Sequence, residues 1–93
     1  MTRQLLRSPT FIRAAKRLLK KNPSAARALH ETLTLLATDA FQPKLRTHKL
    51  TGKLHGSWAC AVGYDLRIVF DFVTVAAGEA ILLLTVGTHE EVY

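Results

Sequence analysis

The chain has 93 residues, with 13 Lys or Arg, 7 Asp or Glu and 4 His, so its formal net charge is +6. A chain of this length folds around one modest core, which excludes two domains and any large cofactor fold. Hydrophobic residues make up 48% and charged residues 22%, which is far from the composition of a disordered chain. We therefore expect a single globular domain over residues 1–93.

The charge is unevenly distributed along the chain. Residues 1–64 carry twelve Lys and Arg against two acidic side chains, whereas residues 65–93 carry one Arg against five acidic side chains. A strongly basic segment favours a polyanion or an acidic protein as partner. Apolar stretches are too short for a bilayer span, and the single cysteine, Cys60, fits a reducing compartment. We expect a cytoplasmic protein without membrane contact.

The first half of the sequence predicts two helices. Ser8-Pro9 and Asn22-Pro23 each place an N-cap residue before a proline, which is tolerated at the first helical position. Apolar residues then recur at helical spacing, and basic residues cover the rest of the first helix, as on an ordinary solvated face. A short break between the segments predicts an antiparallel helical hairpin. Residues 4–7 have the character of a short edge strand before the first helix.

The second half predicts a small sheet. Residues 57–62, 66–73 and 80–86 have β character and are joined by connections short enough for hairpins, so the sheet should be largely antiparallel. In the second of these strands Arg67 alternates with apolar residues and is its only cation. The predicted fold is α+β, with the helical hairpin packed on one sheet face and the other face free.

Residues 44–56 form the densest basic segment, with six Lys, Arg and His side chains and no acid. A loop of this kind attracts phosphates by charge and by exposed N–H groups, although an acidic protein would suit it as well. The histidines show no recognisable metal-ligand spacing, so we expect neither a metal nor a cofactor. We expect Cys60, within a strand, to be a small buried apolar side chain rather than a nucleophile.

Three ordered motifs resemble the RelE/ParE toxin superfamily, and most closely its RelE and YafQ-like branches. They are the run from His48 to Trp58 (HKLTGKLHGSW), the run from Val62 to Phe70 (VGYDLRIVF) and the run from Leu84 to Tyr93 (LTVGTHEEVY). The resemblance covers essentially the whole chain and implies the RelE-like, microbial-RNase-type fold. It also implies the toxin half of a type II toxin-antitoxin module.

Matching positions imply which residues carry the activity. The implied catalytic set is His48, Asp65, Arg67, His89 and Tyr93. Lys49 and Lys53 fall where RelE-type toxins carry catalytic lysines, and with Lys44 and Arg46 we expect them to bind RNA. YafQ-like members have a further histidine four residues before the aspartate, where this chain has Ala61. Proton transfer must therefore be divided differently here, or the activity is lower.

These residue types suit RNA cleavage by attack of the 2′-oxygen. Histidine moves protons near neutral pH, and arginine can stabilise the charge on phosphorus with its fixed fork. Each assignment also has a purely structural alternative. Arg67 could pair with Asp71, Asp65 could be only a turn residue, and Tyr93 could be a disordered terminal aromatic.

The resemblance implies two different activities. RelE-type members cut mRNA in the ribosomal A site, and ParE-type members poison DNA gyrase. We expect a metal-independent endoribonuclease that leaves a 2′,3′-cyclic phosphate and a 5′-OH and so inhibits translation. A gyrase inhibitor and a degenerate toxin that only binds antitoxin are the alternatives. The expected partners are mRNA, the ribosome and a small antitoxin whose acidic or amphipathic segment wraps the toxin. We expect the toxin alone to be a monomer and to form a higher-order complex with the antitoxin.

Overall fold

The computed structural model describes residues 2–52 and 56–93. Strand β1 (Gln4–Arg7) is followed by helices α1 (Pro9–Lys21) and α2 (Ala25–Thr38) and by a 3₁₀ turn at Pro43–Leu45. Strands β2 (His48–Lys49), β3 (Trp58–Val62), β4 (Leu66–Val75) and β5 (Gly78–Thr88) come next, and the chain ends in a one-turn helix, α3 (His89–Val92). The α+β fold predicted from the sequence is confirmed.

The strands form one five-stranded sheet in the order β1-β5-β4-β3-β2. The three pairings among β2, β3, β4 and β5 are antiparallel, and β1 adds to the far edge parallel to β5. The expected edge strand at residues 4–7 is therefore present. Strand β2 lies within the segment predicted as a loop, and β4 and β5 extend beyond their predicted ends until only Ala76 and Ala77 separate them.

Capping residues fix where helices α1 and α2 begin. Helix α1 begins as predicted, because the Ser8 hydroxyl accepts a hydrogen bond from the Phe11 N–H and Pro9 follows at the first helical position. Helix α2 begins at Ala25, two residues later than a cap at Asn22 would place it. Asn22 instead ends α1, with its own N–H bonded to the Leu18 carbonyl, so it is unavailable to start the next helix.

The main core lies between the helices and one face of the sheet. Phe11 of α1 and Leu29 and Leu36 of α2 pack with the buried side chains of the central strands, among them Ile68 and Phe70. Alternation along β4 places these two residues on the helix-covered face and Arg67 and Val69 on the other.

The prediction that the second face of the sheet is free is wrong. Leu50, Ala59 and Val69 are buried there, and Leu84 and Val92 pack against them. The last turn of the chain therefore covers part of this face, because α3 folds back over β4 and β5. What remains open of this face lies beside the β3–β4 turn.

Candidate active site

A groove of about 740 Å³ opens at the end of the sheet where β3 turns into β4 and β5 passes into α3. The 3₁₀ turn closes its opposite side. The residues that line it are Lys44, Arg46, Ala61, Gly63, Tyr64, Asp65, Arg67, Thr88, His89 and Glu90. The groove therefore brings together residues that are more than forty positions apart in the chain, and most of its charged side chains are basic.

Arg67 lies in the wall of this groove on β4. Its ladder neighbours are Ala61 on β3 and Gly87 on β5, whose small size leaves its long side chain room on the sheet surface. One guanidinium nitrogen donates to the Leu66 carbonyl at 2.8 Å and to the Tyr64 carbonyl at 3.3 Å. No ion pair joins Arg67 to Asp71 in the described chain, so the alternative of a structural Arg67–Asp71 pair is wrong. The remaining N–H groups are available to a ligand.

His89 occupies the first position of α3, and a capping box fixes that helix. The Thr88 hydroxyl accepts from the Glu91 N–H, and the Glu91 carboxylate accepts from the Thr88 N–H at 2.9 Å. The backbone N–H of Thr88, followed by its side chain, lowers the pKa of Glu91, with a further contribution from the nearby charges of Lys21 and Arg17. The cap holds the His89 backbone at the mouth of the groove.

Tyr93 packs against His89 rather than extending away from the fold. The two rings meet edge to face with centroids 4.4 Å apart and planes at 86°. Burial raises the pKa of the Tyr93 phenol, and the charge of Arg67 partly opposes this rise. Tyr93 therefore contacts the fold through His89 and lies within electrostatic reach of Arg67.

Lys44 and Arg46 line the rim of the groove opposite α3. The 3₁₀ turn that carries them is capped by the side chain of Gln42, which accepts from the Lys44 N–H. Arg46 has φ 51°, a left-handed conformation that residues other than glycine, asparagine and aspartate rarely adopt. Such strain often occurs at functional sites. Both residues that the sequence assigned to RNA binding in this turn therefore face the groove.

Asp65 both forms part of the β3–β4 turn and lines the groove. It is exposed, so its carboxylate is open to solvent and to a ligand. The two interpretations drawn from the sequence, turn residue and site residue, are thus compatible.

His48 lies beside the groove, outside the residues that line it. It pairs with Ala59 on β3, which in turn pairs with Val69 on β4, so all three side chains share the face that carries Arg67. Its Nδ1 is 2.9 Å from the Arg46 carbonyl oxygen. His48 is therefore linked to the strained rim of the groove through Arg46.

Lys49 differs from the sequence expectation. It pairs with Trp58, which pairs with Phe70, and this register places its side chain on the helix-covered face of the sheet, opposite Arg67. The expected RNA contact by Lys49 in this groove is therefore not supported, because β2 is a strand rather than a loop and its side chains alternate. Lys53, the other lysine assigned by resemblance, lies outside the described residues.

Five lining residues, Ala61, Gly63, Tyr64, Thr88 and Glu90, were not assigned to the site as functional residues. Tyr64 is 96% exposed and directly precedes Asp65 in the turn. The Thr88 signal was present in the sequence, since a threonine followed three residues later by glutamate is the signature of a capping box. Tyr64 and Glu90 carry no such local signal.

The remaining reactive groups lie outside the groove. Cys60 is buried, and its burial raises the pKa of the thiol to about 12, so the prediction of a packed apolar side chain is confirmed.

Within residues 2–52 and 56–93, no three His, Cys, Asp or Glu side chains cluster as a metal site would require. In the same residues, no helix is long and apolar enough to cross a membrane.

Known proteins share this fold over almost their whole length. YafQ from Escherichia coli BL21(DE3) superposes with a TM-score of 0.79 at 18% identity, covering 98% of each chain. The YoeB/ParE toxin from Agrobacterium tumefaciens gives 0.75 at 10% identity, covering 92% of this chain and 98% of its own. A chain of the E. coli DinJ-YafQ toxin-antitoxin complex gives 0.77 at 19% identity, covering 100% and 99%.

The sequence itself gives the family. A search of curated protein sequences found no significant match. The family model for YafQ, a bacterial toxin of type II toxin-antitoxin systems, matches residues 3–93. This match spans nearly the whole chain, including the groove, the 3₁₀ turn and α3. The chain therefore belongs to the YafQ family of bacterial toxins from type II toxin-antitoxin systems.

Proposed function

We propose that this toxin is a metal-independent endoribonuclease that cuts mRNA in the ribosomal A site and thereby stops translation. One observation carries the proposal. Arg67, His89 and Asp65, the residue types that RNA cleavage needs, line a single groove whose far rim carries Lys44 and Arg46. The residues come from four separate parts of the fold, so their convergence is a property of the groove rather than of any one motif.

Arg67 is the residue best placed to hold the scissile phosphate. Its guanidinium is anchored by two backbone carbonyls, so its fork is oriented before substrate arrives. An arginine fixed in this way can contact two phosphate oxygens and stabilise the extra negative charge on phosphorus during attack. Lys44 and Arg46 would hold the neighbouring phosphates along the rim.

The reaction requires two proton transfers. A base takes the proton from the 2′-OH as the 2′-oxygen bonds to phosphorus, and an acid protonates the 5′-oxygen as its bond to phosphorus breaks. The products are a 2′,3′-cyclic phosphate and a 5′-OH. We assign His89 to one of these transfers. Asp65 in the groove and His48 beside it are the two candidates for the other, and Tyr93 orients His89 and contacts base or phosphate.

The partners follow from the family and from the charge of the groove. A structural relative is described as a toxin-antitoxin complex, and we propose a comparable antitoxin here, with an acidic or amphipathic segment that covers the basic rim. The toxin would be monomeric alone and would form a larger complex with antitoxin in the cytoplasm, where ribosomes are found.

Primer extension on a translated message tests this function. Purified toxin should give cuts phased with codons, and cutting should persist when a zinc chelator is added while the Mg²⁺ that the ribosome needs stays in place. Arg67→Ala and His89→Ala should each reduce cutting by at least about 100-fold. Arg13→Ala is the matched control, because Arg13 is exposed on α1 and outside the groove.

Two results would reject the enzyme assignment. One is the absence of phased cuts with the wild-type toxin, and the other is unchanged cutting by both variants. Loss of supercoiling by purified gyrase on addition of the toxin, without RNA cuts, would instead support the gyrase alternative. Binding to antitoxin without either effect would identify a degenerate toxin.

A further inference from the structure

A second hollow, of about 280 Å³, opens beside the groove between α2, the 3₁₀ turn and the end of β3. Ala28 and Leu35 of α2 and Leu45 of the turn give it apolar walls. Glu31 and Thr32, adjacent on α2, and Lys44 of the turn supply its polar groups. The hollow is thus mainly apolar with three polar side chains, which is the usual composition of a small-ligand site.

The hollow adjoins the groove. Lys44, Ala61 and Gly63 line both of them. Because Ala61 has only a methyl group and Gly63 has no side chain, no bulky side chain at these two positions separates the spaces. A ligand bound at Arg67 can therefore extend past Lys44 toward α2.

Thr32 is the polar group that best indicates a ligand. It is the one polar residue among the buried residues of the described chain, at 8% exposure. Thr34 and Thr38 donate their hydroxyls to backbone carbonyls of the same helix, whereas no hydrogen bond within the described residues involves the Thr32 hydroxyl. Among those residues the side-chain atom that is sealed from solvent without a partner is Asp71 Oδ1, so the Thr32 hydroxyl is not sealed, and Thr32 lines the hollow.

Glu31 supplies a carboxylate that is paired with a cation. Its oxygen lies 3.1 Å from Nε of Arg27, one helical turn earlier. This ion pair reduces the repulsion that a bare carboxylate would exert on a nucleic acid. The second oxygen of Glu31 is free of protein hydrogen bonds within the described chain, and a carboxylate oxygen only accepts hydrogen bonds.

We infer that this α2 hollow is a nucleobase subsite for the nucleotide next to the scissile phosphate. This inference rests on the proposed RNA cleavage. The base enters between the apolar walls, Lys44 contacts the intervening phosphate, and Thr32 and Glu31 contact the edge of the base. The Glu31 carboxylate accepts from an exocyclic amino group, which adenine, cytosine and guanine carry. Uracil offers only its N3–H, and the carbonyl oxygens on both sides of that group repel a carboxylate, so the subsite favours the other three bases.

Primer extension on translated messages that vary the base beside each cut site tests the subsite. Wild-type toxin should discriminate against uracil at one neighbouring position by about tenfold. Thr32→Val, which keeps the shape of the side chain and removes the hydroxyl, and Glu31→Gln should each remove most of that preference. Thr34→Val is the matched control on the same helix and should keep it, and thermal unfolding by circular dichroism checks that all variants fold.

The outcomes separate this inference from the function on which it rests. Phased cutting without any base preference, or an unchanged preference in Thr32→Val, overturns the subsite and leaves the nuclease standing. Weaker antitoxin binding by Thr32→Val with an unchanged base preference also overturns it and assigns the hollow to protein docking. If the wild type makes no cuts, the nuclease assignment fails. Fluorescence anisotropy with short single-stranded RNAs that differ at one base then tests the subsite by binding alone, and equal affinity for all of them overturns it.

Discussion

The imidazole of His89 and the phenol ring of Tyr93 meet edge to face, with their centroids 4.4 Å apart. The two residues are four positions apart, at the start and just after the end of the single turn of α3. The turn that presents His89 to the groove therefore also brings up the ring that packs against it. Since Tyr93 is 44% exposed, its ring remains within reach of a substrate. The proposed proton-transfer residue and its support therefore form one unit.

Tyr93 should titrate above the usual value for tyrosine, which is about 10. Burial favours the neutral phenol and so raises the pKa, with Arg67 opposing part of the effect. The contribution of the neutral Tyr93 phenol to folding stability is therefore fully present below the usual pKa and is lost as the pH rises through the higher folded value. Phenolate absorbance of the Tyr64→Phe variant, in which Tyr93 is the only tyrosine, measures this. A midpoint at or below that of free tyrosine would contradict the packing.

Glu91 should make the thermal stability of the fold depend on pH in the acidic range. Its pKa is lowered by the backbone N–H and hydroxyl of Thr88 and by Lys21 and Arg17. Its contribution is therefore present above the ordinary carboxylate pKa and is lost as the pH falls through the lower folded value. Glu91→Gln should melt below the wild type at pH 7, and the difference should disappear in acid. A difference that stays constant down to the lowest pH would show that the charge does not contribute.

Gly87 should be required for the geometry of α3. A Cβ built at Gly87 would lie 3.1 Å from Oε1 and 3.2 Å from Cβ of Glu91, a tight contact that Glu91 must relieve by shifting a few tenths of an ångström. Gly87→Ala should therefore displace Glu91, disturb the capping box and move His89. We expect cleavage to fall between about tenfold and 100-fold, as for a misplaced catalytic group.

A double-mutant cycle tests the cause of that loss. If the clash with Glu91 is responsible, Gly87→Ala should cost much less activity in a Glu91→Ala background, because the obstructing side chain is gone. Additive losses in cleavage would instead mean that Gly87 acts through its other neighbour, Arg67 on β4.

Lys44 and Lys49 should differ in importance despite being five residues apart. Lys44 lines the groove, whereas the register of β2 turns Lys49 to the opposite face. Lys44→Ala should reduce cleavage by about ten- to 100-fold through the loss of a charged phosphate contact. Lys49→Ala should change it by less than about twofold, measured on the same message. A larger effect of Lys49 would place substrate on the helix-covered face.

Cys60 should be inert toward thiol reagents in the folded protein. It is fully buried in β3, and burial raises its pKa to about 12, so almost no thiolate exists at neutral pH. Reaction with an aromatic disulfide should follow the rate of unfolding, and the denatured chain should react at once. Rapid reaction of the native protein would show that β3 opens locally.

The sequence predicted the elements of the fold because their signals are local. Ser8 and Pro9 mark the start of α1, and the alternation around Arg67 marks β4 and the face that this arginine occupies. The late start of α2 was missed because Asn22 is used to end α1, and two helices that share a short connection compete for the same polar residues. The strand at His48–Lys49 was missed because two residues carry too little pattern to be recognised.

The sequence by itself determined which reactive residues this toxin has: an arginine within a central strand, a histidine and an aromatic residue near the C-terminus, and a basic segment at residues 44–56. The tertiary structure alone decided which of these residues meet. Strand register turns Lys49 away from the groove and leaves His48 beside it, while the fold of α3 brings His89 and Tyr93 back over the sheet. Register and long-range closure depend on contacts between distant residues, which no local pattern specifies.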